Sequence, residues 1–520
     1  MQTAHNLGQL LNHSASKYPN RKAIVFGSKK ITYNELNNMV SSIACGLIRL
    51  GIKKQDKIAL LMDNCPEFVI AYFSVLRSGA VVVPINYMFK IEEARYIIED
   101  SGSTVIITSR AYIETAKELV ARAGRLNRII STTNSTENII SLEELAKKNT
   151  AECRIPAVLP AEQAVILYTS GTTGHPKGAE LTHHNLISNA QDCTSAIKIS
   201  AKDSVICILP LFHSFAATVC MILPFSAGAA MVIMKTVRPF KRVIRAILKN
   251  RVTIFVGIPS IFGILKDFKL PKLLRTPLIK FFNPVRLCIS GAAALPAQVF
   301  REFEKIFRVT LLEGYGLTEA SPVVTLNPMK GMRIAGSIGL PLSKRIKLRA
   351  VDDAGNDVPV GQVGELLVKG PNIMAGYYKN SDATKEAIRN NWLYTGDMAK
   401  FDSRGYAYIV GRKKEMVNVR GLNVYPREIE EVLYQNPKIK EAAVIGIPDV
   451  HKGEVPKAFI VLKDGELITE QQIHRYLRDR LAAYKIPKHI QIRTDLPKNS
   501  TGKILKRVLA DEENSKRENI

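Results

Sequence analysis

The stretch YTSGTTGHPKG, from Tyr168 to Gly178, sets hydroxyl residues, glycines and a lysine directly after the apolar run AVIL. Gly171 and Gly174 can take positive φ, which lets backbone N–H groups converge on an anion. Thr169, Ser170, Thr172 and Thr173 add hydroxyl donors, and Lys177 adds a compact positive charge suited to phosphate. The stretch follows a strand-like AVILYT and precedes a helix-like THHNLISNA, the strand-to-helix setting of a phosphate loop. No G-x4-G-K-[ST] pattern can be laid on it, so it is not a Walker A loop. A plain polar surface loop is the competing reading.

Four further stretches carry groups of the same chemical kind. EGYGLTEASP (Glu313 to Pro322) combines an aromatic ring, two glycines, a threonine and a carboxylate. YTGDMAKFD carries Asp397, GRKKEMVNVRGLNVYPREIE carries Arg412, and LPKNSTGKILKR carries Lys503. Each alone reads as a turn, a capping aspartate, a surface arginine or a solvated lysine. The five in this order leave that reading little room.

Elements must hold these groups together. NELNNMVSSIACGLIRLGI carries an apolar stripe at helical spacing, and KIALLMD, VVVPI and TVIITS are continuous apolar runs of strand length. Strands recurring between helices predict βαβ units and a largely parallel sheet, whose ligands sit beyond the strands' carboxyl ends. From about residue 333 the pattern becomes strands between Gly, Pro and Asp turns (KRIKLRAVD, GQVGELLVKG, GYAYIVGR), which predicts a small β-barrel or ribbon over about 333–410. After Gly411 come strands at AAVIGIP and KAFIVLK and a helix opened by a capping box at Thr469 and Gln472. The charged tail DEENSKRENI is expected to be disordered. The expected fold class is α/β. A large N-terminal domain, 1–411, has mixed and parallel sheets flanked by helices plus the small barrel. A small mobile α+β C-terminal domain follows at 412–520.

At 520 residues, 46% hydrophobic and 23% charged, the chain is of globular type and exceeds a single core. Its seven cysteines form no CxxC or metal-ligand spacing, which predicts reduced thiols and a cytoplasmic setting, with no signal peptide. Phe215 to Met234 lacks charge, but Pro224 and a Ser/Gly turn divide it. A buried helix followed by a buried strand is expected there, not a membrane span. The net charge is +26, and residues 235–286 hold thirteen Lys or Arg against one acid, Asp267. Such a field attracts polyanions, and the apolar KLPKLLRTPLIKFF within it predicts peripheral, salt-sensitive contact with anionic bilayers. A nucleic-acid-binding role lacks an aromatic-interleaved basic motif.

Together the five stretches resemble the adenylate-forming superfamily of acyl-CoA synthetases, nonribosomal adenylation domains and luciferases, over about Asn6 to Val508. ILYTSGTTG, LCISGAAALP, LEGYGLTEASPV and NVYPREIEEVL are most similar to bacterial long-chain fatty-acid–CoA ligases. The resemblance implies activation of a carboxylic acid by ATP to an acyl-adenylate, then transfer to a thiol. Bringing an anion onto a polyanion costs roughly 4 kcal/mol per unit pair at ~4 Å and an effective dielectric near ~20. Fixed positive charge and a metal are therefore implied. By resemblance, Thr169, Ser170, Gly171, Thr172, Thr173, Gly174 and Lys177 grip the β- and γ-phosphates. Gly314, Tyr315 and Gly316 carry the adenine-stacking ring, and Gly291, Ala292 and Ala293 meet the base edge. Thr318 meets the α-phosphate, Glu319 binds Mg²⁺, Asp397 and Arg412 hold the ribose, and Lys503 bridges the acyl carboxylate and α-phosphate. The C-terminal domain is implied to rotate about Lys414, after which Gly421 leaves room for the pantetheine arm of coenzyme A.

The substrate is read partly by elimination. Amino-acid-activating relatives place an aspartate near PLFHSFAATV, and this chain has none. Acetate-specific relatives carry a tryptophan at the position of Gly316, so an open acyl slot is expected there. FVGIPSIFGIL, with Gly257, and SGAAALP would line it. His213 either gates the slot or packs as a core histidine. No carrier domain follows Lys503, so the expected acceptor is free coenzyme A. The alternatives are an aryl- or medium-chain-acid–CoA ligase, or a fatty acyl-AMP ligase loading an acyl carrier protein.

Overall fold

The structure, a computed structural model, describes residues 5–147, 153–169, 176–267, 284–449, 451–499 and 502–518. The expected buried strands Lys57–Leu61, Val81–Pro84 and Val105–Thr108 pair in parallel within an eight-stranded sheet. Both faces of this sheet are covered, which is why its strands are apolar without alternation. Ile58, Leu60 and Val82 pack into one core with Phe68 and Val69. Ala59, Leu61, Val81 and Val83 pack into another with Ile97, Ile98 and Leu119. Helix Tyr33–Arg49 starts at a capping box: Thr32 Oγ1 accepts from the Glu35 backbone N–H at 3.2 Å, and Glu35 Oε2 accepts from the Thr32 N–H at 2.7 Å.

A second, nine-stranded sheet has six neighbouring strands in parallel: Lys22–Phe26, Ala230–Ile233, Ser204–Cys207, Ile254–Gly257, Leu287–Ser290 and Thr310–Gly316. The uncharged stretch from Phe215 is a buried, partly π-wound helical segment to Ala227, followed by strand Ala230–Ile233. Among the described residues, no helix is long and apolar enough to cross a membrane.

The setting of the hydroxyl- and glycine-rich stretch differs from the expected strand-to-helix turn. Strand Gln163–Thr169 pairs antiparallel with a second strand, Lys177–Thr182, with Thr169 opposite Lys177. The stretch therefore closes a hairpin, and helix His183–Ile197 begins only after the second strand. Gly178, Ala179 and Leu181 of this second strand are buried.

Residues from 347 onward form a five-stranded antiparallel sheet in which Trp392–Phe401 pairs with Gly364–Lys369, Ile388–Arg389 and Ala407–Arg412. A short turn, Lys413–Glu415, leads into a separate sheet built on the long pair Ile439–Asp449 and Gly453–Leu462. Helix Glu470–Arg478 has the expected capping box at Thr469 and Gln472.

Two expectations need correction. The charged tail is ordered as far as residue 518, in helix Lys506–Glu518. Leu509 is fully buried in a cluster with Phe459, and Glu513 meets Lys457 at 2.6 Å, which anchors a helix whose composition suggests disorder. The cysteines are not all free thiols: Cys45, on helix Tyr33–Arg49, is joined to Cys153 by a disulfide, with Cα atoms 5.6 Å apart. A pairing across 108 residues leaves no local spacing to read.

Candidate active site

The parallel strands Leu287–Ser290 and Thr310–Gly316 deliver their carboxyl ends to a cavity of about 1200 Å³. Its wall includes Thr169, Lys177, His213, Gly291, Ala292, Gly314, Tyr315, Gly316, Thr318, Glu319, Arg412, Lys414 and Lys503, with Ala293 next in the chain. Groups from all five sequence stretches thus meet, although they lie far apart in the chain. Ser170, Gly171, Thr172, Thr173 and Gly174 lie outside the described residues.

Asp397 is 4% exposed and holds one corner. Its Oδ2 accepts from the Tyr315 hydroxyl at 2.6 Å, and its Oδ1 lies 3.0 Å from Arg412 Nε. Register explains the pair, because Asp397 and Arg412 are direct cross-strand neighbours. The carboxylate raises the Arg412 pKa further. Burial, with Asp397 adding to it, raises that of Tyr315, so the phenol stays a donor.

Glu319 sits on a single helical turn, Thr318–Ala320, beyond the second strand's end. Its Oε1 accepts from Tyr377 at 3.0 Å and faces Thr169 Oγ1 at 3.5 Å. Thr318 Oγ1 lies 3.3 Å from Ser214 Oγ. Lys177 extends over the Tyr377 ring, 5.4 Å from its centroid.

Lys503 stands on a tight hairpin turn. Its N–H donates to Asn499 Oδ1 and its carbonyl accepts from the Asn499 N–H, each at 2.9 Å. A Cβ on Gly502 would come within 2.7 Å of Ile258 Cδ1, so this turn lies flush against the nine-stranded sheet's end. The Lys503 side chain is solvent-reached within the cavity but crowded by protein on its other sides. That crowding and the Arg412 guanidinium lower its pKa, while Asp397 and Glu415 oppose the shift. Its charge also reaches His213: burial first, then Lys503, hold that imidazole near pKa 4, hence neutral. His213 Nδ1 accepts from the Phe215 N–H at 3.2 Å, which makes it a helix cap on the cavity wall.

Lys414 and Gly421 take different places. Lys414 is exposed in the turn between the antiparallel sheet and the C-terminal sheet. Gly421 is exposed at φ +83° with nothing within 4 Å of a Cβ built on it.

Gly316 lies on the cavity wall, whereas Gly257, expected to line an acyl slot, does not. A Cβ at Gly316 would stand 2.1 Å from the Pro322 carbonyl oxygen, so the glycine permits close approach of backbone. A Cβ at Gly257 would sit 3.1 Å from Phe255 and 3.2 Å from Phe262, so that glycine makes room for packed rings and does not line the cavity. The apolar wall comes instead from Ile197, Phe215, Val219, Leu223, Val323 and Leu326. Sequence reasoning also missed Tyr377 and Ser214. Nothing in their local spacing marks them, since each acts across the cavity.

Comparison with known proteins agrees with this geometry. Residues 11–378 match the AMP-binding enzyme family and residues 428–503 match the AMP-binding enzyme C-terminal domain. A long-chain-fatty-acid–CoA ligase of Bacillus subtilis is 35% identical, covering 98% of this chain and 94% of that protein. An anthranilate CoA ligase, AuaEII, solved with anthranoyl-AMP, superposes with a TM-score of 0.91 at 27% identity, covering 99% of each chain. MatB from Rhodopseudomonas palustris is 31% identical, covering 98% of this chain and 99% of its own. Its ATP-bound form gives a TM-score of 0.89 and its apo form 0.78. Five dispersed stretches converging on one cavity, two family models in order and full-length relatives lead to one statement: this chain belongs to the AMP-binding enzyme family.

Proposed function

We propose that the protein activates a long-chain fatty acid with ATP and transfers the acyl group to coenzyme A, releasing AMP and pyrophosphate. The observation that carries this is Lys503, brought by its hairpin into the cavity that also holds Thr318, Glu319 and the Tyr315–Asp397–Arg412 cluster. A fatty carboxylate is already ionised, so no general base is required. Its oxygen bonds to the α-phosphorus as the bond to the departing pyrophosphate breaks. Lys503 and Lys177 then offset the charge that gathers as the two anions meet. Thr318 is assigned to the α-phosphate, Tyr315 and the 291–293 turn to adenine, and Asp397 with Arg412 to the ribose.

Among the described residues, no three His, Cys, Asp or Glu side chains gather to hold a metal. Glu319 is a lone carboxylate beside hydroxyls, which fits a cation that takes most of its ligands from phosphates and water, as Mg²⁺ does. Bound there, Mg²⁺ would screen the phosphates. Glu319 would hold it, and Thr169 and Lys177 would hold the phosphate side.

In the second half-reaction the coenzyme A sulfur bonds to the acyl carbon, the bond to AMP breaks and the thiol proton leaves. Lys503 lines the cavity in the present arrangement. The part from about residue 412 is therefore proposed to turn about Lys414, withdrawing Lys503 and bringing the Gly421 strand to the cavity. The substrate class is supported by the apolar wall and by the fatty-acid ligase of Bacillus subtilis. An aryl acid is the second reading, favoured by the likeness to the anthranilate CoA ligase. Acid-dependent pyrophosphate release over a panel of fatty, aryl and amino acids, with and without coenzyme A, tests both. Release with benzoate-type acids alone would replace the first reading by the second.

A further inference from the structure

The segment 372–378 touches both nucleotide-facing stretches at once. Asn372 Nδ2 donates to the Ala320 carbonyl at 2.8 Å, and the Met374 N–H donates to the Glu319 carbonyl at 2.9 Å. The Ala375 and Tyr378 N–H groups donate to the Glu180 and Gly178 carbonyls at 2.9 and 2.8 Å. Strand Gly376–Tyr377 thereby extends the edge of the eight-stranded sheet, with Tyr377 opposite Ala179. From that position the Tyr377 hydroxyl reaches Glu319 Oε1 at 3.0 Å, and its ring lies under Lys177, 5.4 Å from the ammonium.

We propose that Tyr377 is a positioning residue: its hydroxyl, aided by Thr169, fixes one oxygen of Glu319 so that the other is presented to the divalent cation that accompanies ATP. The inference rests on the nucleotide reading above and adds to it a residue that acts through Glu319. The Tyr377 hydroxyl donates to this oxygen at 3.0 Å, and the Thr169 hydroxyl, shared with the Lys177 carbonyl at 3.4 Å, lies 3.5 Å from it. A carboxylate held in this way has its rotation stopped before the cation arrives, so less ordering is left for binding. The half-buried tyrosine is in turn held by its own N–H, which donates to Thr384 Oγ1 at 2.8 Å.

The test is ATP binding by calorimetry on the full chain, with and without Mg²⁺. Tyr377→Phe keeps the ring beneath Lys177 and removes only the hydroxyl. The affinity gained on adding Mg²⁺ should fall roughly tenfold relative to wild type, the weight of a hydrogen bond to a charged group, with metal-free ATP binding and the unfolding midpoint unchanged. In a Glu319→Gln background, Tyr377→Phe should produce no further loss, because the group through which it acts is gone. An equal Mg²⁺ response in Tyr377→Phe and wild type overturns the inference. So does a loss that simply adds to that of Glu319→Gln, or a loss seen with Tyr377→Leu but not with Tyr377→Phe. A wild-type protein whose ATP affinity ignores Mg²⁺ overturns the nucleotide reading as well.

Discussion

The Tyr315 hydroxyl donates to Asp397 Oδ2 at 2.6 Å, while Arg412 Nε meets the other oxygen of that carboxylate at 3.0 Å. One nearly buried carboxylate thus ties the end of strand Thr310–Gly316 to two strands of the antiparallel sheet. Tyr315→Phe leaves the ring but removes a donor to a charged acceptor. The KM for ATP should rise about tenfold while the KM for the acid changes little. Steady-state kinetics with each substrate varied in turn checks this. Equal effects on both substrates would show that Tyr315 does not face the nucleotide.

Lys503 and Gly421 should divide the two half-reactions between them. Lys503→Ala should abolish acid-dependent pyrophosphate release yet leave thioester formation from supplied acyl-adenylate largely intact. A Cβ at Gly421 meets nothing within 4 Å in the present arrangement, and the strain of Gly421→Leu at φ +83° costs on the order of 1 kcal/mol. The variant should therefore spare adenylation and block the thioester step. Loss of both half-reactions to the same extent in both variants would contradict the alternation about Lys414.

Much of this site was legible because its residues come in short runs with one chemical purpose. The hydroxyl and glycine stretch, the EGYGLTE run and the turn bearing Lys503 each announce an anion site from type and order alone. What sequence could not supply was the geometry across runs. The second strand behind Thr169 became visible only as Lys177–Thr182 paired with Gln163–Thr169. Gly316 reads as open space in sequence, whereas the Pro322 carbonyl fills that space. Tyr377 and Ser214 act on Glu319 and Thr318 from distant elements. Cys45 and Cys153 are of the same kind, paired only once the fold brings them together.

His183 sets a pH limit on stability. It is fully buried, Nδ1 accepts from the Leu7 N–H at 3.2 Å, and Nε2 has no hydrogen-bond partner among the described residues. Burial depresses its pKa from 6.5 to about 4. A histidine depressed in the folded state binds its proton more readily when unfolded. Stability is therefore full above the unfolded value and falls as pH drops from about 6.5 towards 4, by roughly 3 kcal/mol at most. Denaturant titrations of wild type and His183→Asn across that range should show the slope shrinking in the variant. An identical slope would assign the acid sensitivity elsewhere.

We propose a salt-sensitive membrane contact at the basic region. Helix Phe240–Asn250 exposes Lys241, Arg242, Arg245 and Lys249 beside Leu248, which is 54% exposed. The apolar, basic stretch KLPKLLRTPLIKFF falls within 268–283, outside the described residues. Each lysine or arginine near an anionic surface contributes ~1 kcal/mol, and salt screens it. Sedimentation with anionic vesicles at low salt should exceed that with neutral vesicles and fall as salt rises. Equal sedimentation would leave the charge serving ATP and coenzyme A alone.

A cavity that takes a long aliphatic acid should show it in kcat/KM for thioester formation measured against acid chain length. Each buried methylene contributes about 0.8 kcal/mol, so going from eight to twelve carbons gains about 3 kcal/mol at most. Discrimination per methylene is modest, so the profile should be a broad optimum at roughly twelve to eighteen carbons. Gly316→Trp is a poor partner for this measurement because the Pro322 backbone stands in its way. Val219→Phe, on the apolar wall, is the better variant and should move the optimum to shorter acids. A rising profile that flattens near those lengths in wild type and shifts in Val219→Phe is the result expected. A wild-type maximum at acetate, or at a benzoate-type acid, would contradict the long-chain assignment.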